Sequence, residues 1–113
     1  MKIIADVITL EELKEIASAM FGNSVKAVVD AGRELIALDA ELHSDLEALL
    51  LQDGSKQSDL WGINLYPELQ GDEFIEFDSM INMRPSQNNR SRGVNDEEIR
   101  KKIIVIAAKR IKR

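Results

Sequence analysis

The single histidine of this chain, His43, stands in the pattern Asp39-x-Glu41-x-His43-x-Asp45. On an extended strand, side chains at i, i+2 and i+4 share one face, so two carboxylates and an imidazole would converge there. That donor set suits Zn²⁺ or Mn²⁺, and with them a small metal-dependent hydrolase or nuclease. The same letters also describe the wet face of a half-buried strand. Ligands two positions apart stand about 7 Å from each other, which rarely lets more than two reach one ion. The wet face is the expectation; no metal is assigned, and His43 is the one candidate ligand.

A second concentration of polar chemistry is the loop Arg84-Pro85-Ser86-Gln87-Asn88-Asn89-Arg90-Ser91-Arg92-Gly93. Guanidinium groups bind phosphate and carboxylate through paired hydrogen bonds. Ser, Asn and Gly can turn backbone N–H groups into an anion nest, and the loop leads toward a helix N-terminus, where anions are favoured. Asp96, Glu97 and Glu98 already fill that first turn and would repel a second anion. The alternative is a polar loop whose arginines pair with acids of the body. The loop has no aromatic residue, so base stacking is not indicated, and nucleic acid is not the favoured partner.

The segment Leu60-Trp61-Gly62-Ile63-Asn64-Leu65-Tyr66-Pro67 reads as a strand with Trp61, Ile63 and Leu65 on an apolar face and Asn64 with Tyr66 on the other. A core role for Trp61 is expected. Gly62 removes a side chain beside it and could open a shallow pocket, lined by Asn64 and Tyr66 with Ser79 or Asn82 from the paired strand. The ligand site expected from these readings is Arg84, Ser86, Arg90, Ser91 and Arg92, with Asn64 and Tyr66 as outer members.

Several chemistries are excluded. The chain has no cysteine, which removes disulfides, thiolate metal sites and cysteine nucleophiles. It has no P-loop, no G-x-G-x-x-G and no G-x-S-x-G elbow. Glu73, Glu76 and Asp78 show no environment that would separate their pKa values for acid/base work. No catalytic residue and no cofactor are assigned.

The elements that must position these groups follow from periodicity. Lys2–Ile8 reads as a strand. Thr9 and Glu12 form a capping box for a helix over residues 10–21, with Ile8 and Leu13 as its hydrophobic staple and Gly22 as its stop. Residues 24–31 and 34–42 read as a hairpin, with Gly32 supplying a positive φ in the turn. Ser44 and Glu47 form a second capping box for a short helix ending near Gly54; an extended reading of residues 46–51 is the alternative. Residues 60–66 and 73–83 read as a second hairpin, ended by Pro85. Asn95 and Glu98 cap a last helix over residues 96–112, with Ile99, Ile103, Ala107 and Ile111 as its buried stripe. Val105 and Ile106 fall off that stripe, so the helix is either gripped from two sides or carries a dimer contact. The order is β-α-β-β-α-β-β-α: an α+β domain with a five-stranded, mostly antiparallel sheet and its helices mainly on one face.

The 113 residues suit one domain, 1–113, with 44% hydrophobic and 31% charged residues. Residues 1–83 carry 5 Lys/Arg against 17 Asp/Glu, and residues 84–113 carry 10 against 3, so a body of −12 precedes a segment of +7. Such a segment docks on its own body, on a second copy, or on an anionic partner. The longest apolar run, Ile103–Ala108, is far too short to span a bilayer. A cytoplasmic protein without membrane association is expected.

Met1-Lys2-Ile3-Ile4, Leu60–Pro67, Ile81-Asn82-Met83-Arg84-Pro85-Ser86 and Asn89-Arg90-Ser91 together resemble a small prokaryotic family known as a domain of unknown function. The resemblance covers nearly the whole chain and implies one complete domain. It implies no activity and transfers no catalytic residues. The expected function is a non-enzymatic binding or interaction module, taking a small anion at the arginine loop. The alternatives are the His43-based hydrolase or nuclease and a homodimeric structural partner protein.

Overall fold

Alternating apolar residues build the centre of the molecule. Val25–Asp30 (β3) pairs antiparallel with Leu35–Leu38 (β4) on one side and Leu60–Leu65 (β5) on the other. Lys2–Ile4 (β1) adds outside β4, and Ile75–Glu76 (β6) outside β5, giving one antiparallel sheet of order β1-β4-β3-β5-β6. The computed structural model describes residues 1–113. Its radius of gyration, 12.8 Å, matches the roughly 13 Å of a compact chain of this length.

Three α-helices cover the sheet: Leu10–Ala19 (α1), His43–Gln52 (α2) and Glu97–Arg110 (α3). Leu13 and Ala17 of α1 and Ile103, Ile106 and Ala107 of α3 pack on the face that presents Val25, Ala27, Val29, Ile36, Trp61, Ile63 and Leu65. The opposite face is covered by α2, whose Leu46 and Leu50 meet Val28, Leu35, Ala37 and Leu60. Two helices thus share the larger core and the third closes a smaller one. That second layer explains why β3 and β4 are buried on both faces, with Val28 and Ala37 filling positions between the alternating residues.

Local chemistry sets the element ends. The Thr9–Glu12 capping box forms in full, and Gly22 stops α1 with a φ of +90°. Several boundaries differ from the sequence reading. Lys2–Ile8 is interrupted, and Ile8–Thr9 (β2) instead pairs parallel with Ile111–Lys112 (β7), which ends α3 at Arg110 and ties the two chain ends together. Asp96, not Asn95, caps α3, its carboxylate accepting from the Glu98 and Ile99 N–H groups. The positive φ of the 31–34 turn falls on Glu34, at +58°, not on Gly32. Gly32 is needed for space, because a Cβ there would lie 2.6 Å from an Asp59 carboxylate oxygen.

Two corrections bear on function. The strand β4 stops at Leu38, where Asp39 adopts a φ of +74°, so His43 opens α2 and no longer alternates with Asp39 and Glu41. The Asp39–Glu41–His43 face therefore does not form, and no cluster of three or more potential ligands exists. Likewise, residues 73–83 are not one long strand. Only Ile75–Glu76 pair with β5, and residues 80–82 close a 3-10 turn. Beyond Glu76 the ladder position beside Gly62 is filled by a side chain: Asn82 Oδ1 accepts from the Gly62 N–H at 2.8 Å, and Asn82 Nδ2 donates to the Gly62 carbonyl at 3.0 Å.

Candidate functional site

On the α2 side of the sheet, a cleft of about 240 Å³ opens between the start of α2, strands β3 and β5, and residues 78–92. Beneath two of its lining residues, His43 and Ser79, lies Gly62. A Cβ at that position would lie 2.5 Å from Ser79 Cβ and 3.2 Å from His43 Cδ2. The missing side chain is what lets the Ser79 and His43 side chains close over the strand. Lys26 and Asn64, cross-strand neighbours on β3 and β5, form one wall. Arg92 and Asp78, bonded at 2.6 Å, form another.

His43 is 8% exposed. Its Nε2 lies 2.8 Å from the Ile63 carbonyl. A carbonyl only accepts, so Nε2 carries the hydrogen and Nδ1 presents a lone pair. Nδ1 has no partner in the protein and is not sealed from solvent, since the ring lines the cleft. Burial is the main influence on this ring and holds its pKa below the ordinary value. The nearby positive charges of Lys26 and Arg92 push the same way, and the Ile63 carbonyl and Asp78 oppose them.

The end of α2 that meets the cleft is uncapped. Its N-cap residue is Leu42, which has no side-chain acceptor; the expected Ser44–Glu47 box does not form, because Ser44 lies inside the first turn. The first N–H groups of a helix have no partner within it, and His43 and Ser44 are the first two residues of α2. These donors, the unpartnered Nδ1, Lys26 and the open edge of the Arg92 guanidinium surround one space. Lys26 makes no ion pair, and Arg92 uses its Nε for Asp78. Two cations and one carboxylate line the cleft itself, while Asp45 in the first turn of α2 and Glu76, bonded to Asn64, add negative charge beside it.

A family model described as a protein of unknown function, DUF5674, matches residues 2–110. The chain belongs to this family. No curated protein and no solved structure matches the chain.

The family description assigns no activity, so the residues must speak for themselves. The loop residues chosen from the sequence do not gather at one place. Arg92 and Asn64 line the cleft, and Asn64 Nδ2 donates to Glu76 at 2.9 Å. Tyr66 stands outside it, donating to the same Glu76 oxygen at 2.9 Å, a bond that raises the phenol pKa. Arg84 lies elsewhere: it donates to the Gln57 carbonyl and, at 2.6 Å, to the Leu60 carbonyl, and its guanidinium stacks 4.1 Å from the Trp61 ring centre. Burial pushes its pKa down, and Glu47 opposes that. Ser91 bonds Asn95 at 2.6 Å. Ser86 and Arg90 are exposed and make no side-chain hydrogen bond.

The loop itself is held by amides. Asn89 Nδ2 donates to the Asn82 and Gly93 carbonyls at 2.7 and 2.8 Å, and its Oδ1 accepts from the Asn95 N–H at 2.8 Å. The residues that sequence reasoning did not select are Lys26, Ser44 and Asp78. Lys26 carries a readable signal, a cation between Val25 and Ala27 in a strand that is otherwise buried. Ser44 and Asp78 carry none, because their placement depends on how α2 and residues 78–92 approach β5.

Proposed function

We propose that the chain is a binding module for a small anion, held in the cleft at the start of α2. The observation that carries this reading is the uncapped start of α2, where Leu42 offers no side-chain acceptor, facing a cleft that Lys26 and Arg92 also line. Helix N-termini favour anions through their free N–H groups and dipole. Lys26 and Arg92 add full charges, and the Ser44 hydroxyl adds a neutral donor. Of the arginine loop, only Arg92 contributes to this site.

The reading is tested by titrating ¹⁵N-labelled protein with acetate and with inorganic phosphate. Saturable shifts are expected at residues 26, 43, 44, 64 and 92. Replacing Arg92 or Lys26 by Gln should weaken binding about tenfold, the worth of one charge-assisted hydrogen bond. Absence of shifts at these residues up to high millimolar anion would remove the proposal.

A second reading is self-association through α3. Ile104 and Val105 are 46% and 64% exposed on its outer face. The helix is acidic in its first turn and basic in its last, so an antiparallel pair about a two-fold axis near Ile104 sets opposite charges together. A single helix pair covers less than the roughly 800 Å² per partner of a stable interface, so the dimer would be weak. Sedimentation equilibrium should show concentration-dependent mass, abolished by Val105→Glu; a monomer at all concentrations would exclude it.

A further inference from the structure

Two of the most exposed large apolar side chains of the protein, Leu42 and Met80, are 56% and 63% exposed and both line the same cleft. They come from different elements. Leu42 is the N-cap residue of α2, and Met80 opens the 3-10 turn over residues 80–82. Neither side chain packs into either hydrophobic core. An N-cap favours Ser, Thr, Asp or Asn, whose side chains would satisfy the free N–H groups, and the first residue of an exposed turn is ordinarily polar. Ile81, partly buried against the α2 core, stands next to Met80 and also lines the cleft.

From this arrangement we infer that the ligand of the cleft is an amphipathic anion: a carboxylate or phosphate monoester head with a short apolar tail. The inference rests on the anion-site reading above and names its ligand class. The head lies against Lys26, Arg92 and the free N–H groups at the start of α2, and the tail runs out between Leu42 and Met80. Met80 suits that place, since an unbranched thioether adapts to variable apolar shapes. Its sulfur is 3.5 Å from Arg92 Nη1, so the apolar rim adjoins the cationic wall and one ligand can touch both. The cleft, about 240 Å³, lies below the ~300–1,000 Å³ of pockets for drug-sized ligands, which limits the tail to a few carbons.

The test compares acetate, hexanoate, inorganic phosphate and hexyl phosphate by NMR titration of the full chain. A fully buried methylene strengthens binding about fourfold. In a half-open cleft, hexanoate is expected to bind at least about tenfold tighter than acetate, and hexyl phosphate tighter than phosphate by a similar ratio. The preferred pair identifies the head group. Contacts between the ligand methylenes and the Met80 methyl should appear as intermolecular NOEs. Met80→Gln combined with Leu42→Gln should lower the hexanoate-to-acetate ratio by severalfold, with thermal unfolding confirming that the variant is folded. Equal binding of the short and long anions, or NOEs that miss Met80, would overturn this inference and leave the anion site standing. Failure of all four anions to bind would overturn both.

Discussion

The carboxamide of Asn82 pairs with the backbone of Gly62 as a neighbouring strand would, accepting from its N–H at 2.8 Å and donating to its carbonyl at 3.0 Å. The same Nδ2 donates to the Arg92 carbonyl at 2.9 Å. Both Gly62 groups are buried, so no water can replace the amide without rearrangement. Asn82 therefore joins the sheet to the segment that carries Asp78, Ser79 and Arg92 into the cleft.

Asn82→Asp keeps the shape but replaces the donor by an oxygen facing two carbonyls. A buried unsatisfied group costs about 1–3 kcal/mol, more when charged, so a loss of about 3 kcal/mol in urea unfolding is expected. A loss below about 1 kcal/mol would show that the amide pairing is not what holds this segment. The amide signals of residues 78–92 should move together in the variant.

Leu42→Asp is expected to separate stability from binding. The residue has the extended conformation of an N-cap, φ −123° and ψ 133°. A carboxylate there would accept from the free N–H groups of α2 and stabilise the protein by about 1 kcal/mol. The same carboxylate would occupy the anion position and repel a ligand. Unfolding midpoints should rise while the shifts with acetate or phosphate disappear. Unimpaired anion binding in a stabilised variant would show that the ligand does not use this helix end.

The His43 ring predicts a pH dependence. Burial holds its folded pKa below the ordinary 6.5, while the unfolded chain has that ordinary value. Below about pH 6.5 the unfolded state takes up a proton that the folded state does not, so stability falls as pH falls. The decline levels off once the pH is below the folded pKa. Its slope reaches at most about 1.4 kcal/mol per pH unit for one proton. His43→Gln, which keeps a donor for the Ile63 carbonyl, should flatten this part of the profile. An unchanged profile would assign the acid sensitivity to other groups.

Arg84 and Arg90 should behave oppositely. Arg84→Lys loses the two-pronged contact to the Gln57 and Leu60 carbonyls and the stack on Trp61. An ammonium cannot reproduce that fork, and a cost of about 2 kcal/mol is expected. Arg90→Ala, at an exposed position without hydrogen bonds, should stay within about 0.5 kcal/mol. Thermal unfolding of the two variants side by side checks the contrast, and equal midpoints would contradict it.

Elements that depend only on neighbours along the chain are legible in the residues alone. Alternation in Val25–Val29 and Ile36–Leu38 marks two strands whatever surrounds them. Thr9 and Glu12 lie three apart, so their capping box needs only local geometry. Leu46, Leu49 and Leu50 fit a helix but leave an extended reading of residues 46–51 open, and Trp61, Ile63 and Leu65 mark the core face of a strand. Gly62 was readable as a gap, and Asn64 as its neighbour, because both follow from the two-residue period.

Where the polar groups meet depends on contacts between residues far apart in the chain. Asp39, at a φ of +74°, breaks the alternation that would have aligned His43 with Glu41, and the ring turns instead onto the Ile63 carbonyl twenty residues away. Arg84, Arg90 and Arg92 are close in sequence yet serve three places, because Asn82 and Asn89 fold the chain between them. Such side-chain amides replace backbone pairing at single positions and leave no period to read. The cleft arises from the approach of α2 and residues 78–92 over a missing side chain, a packing result that no local pattern encodes.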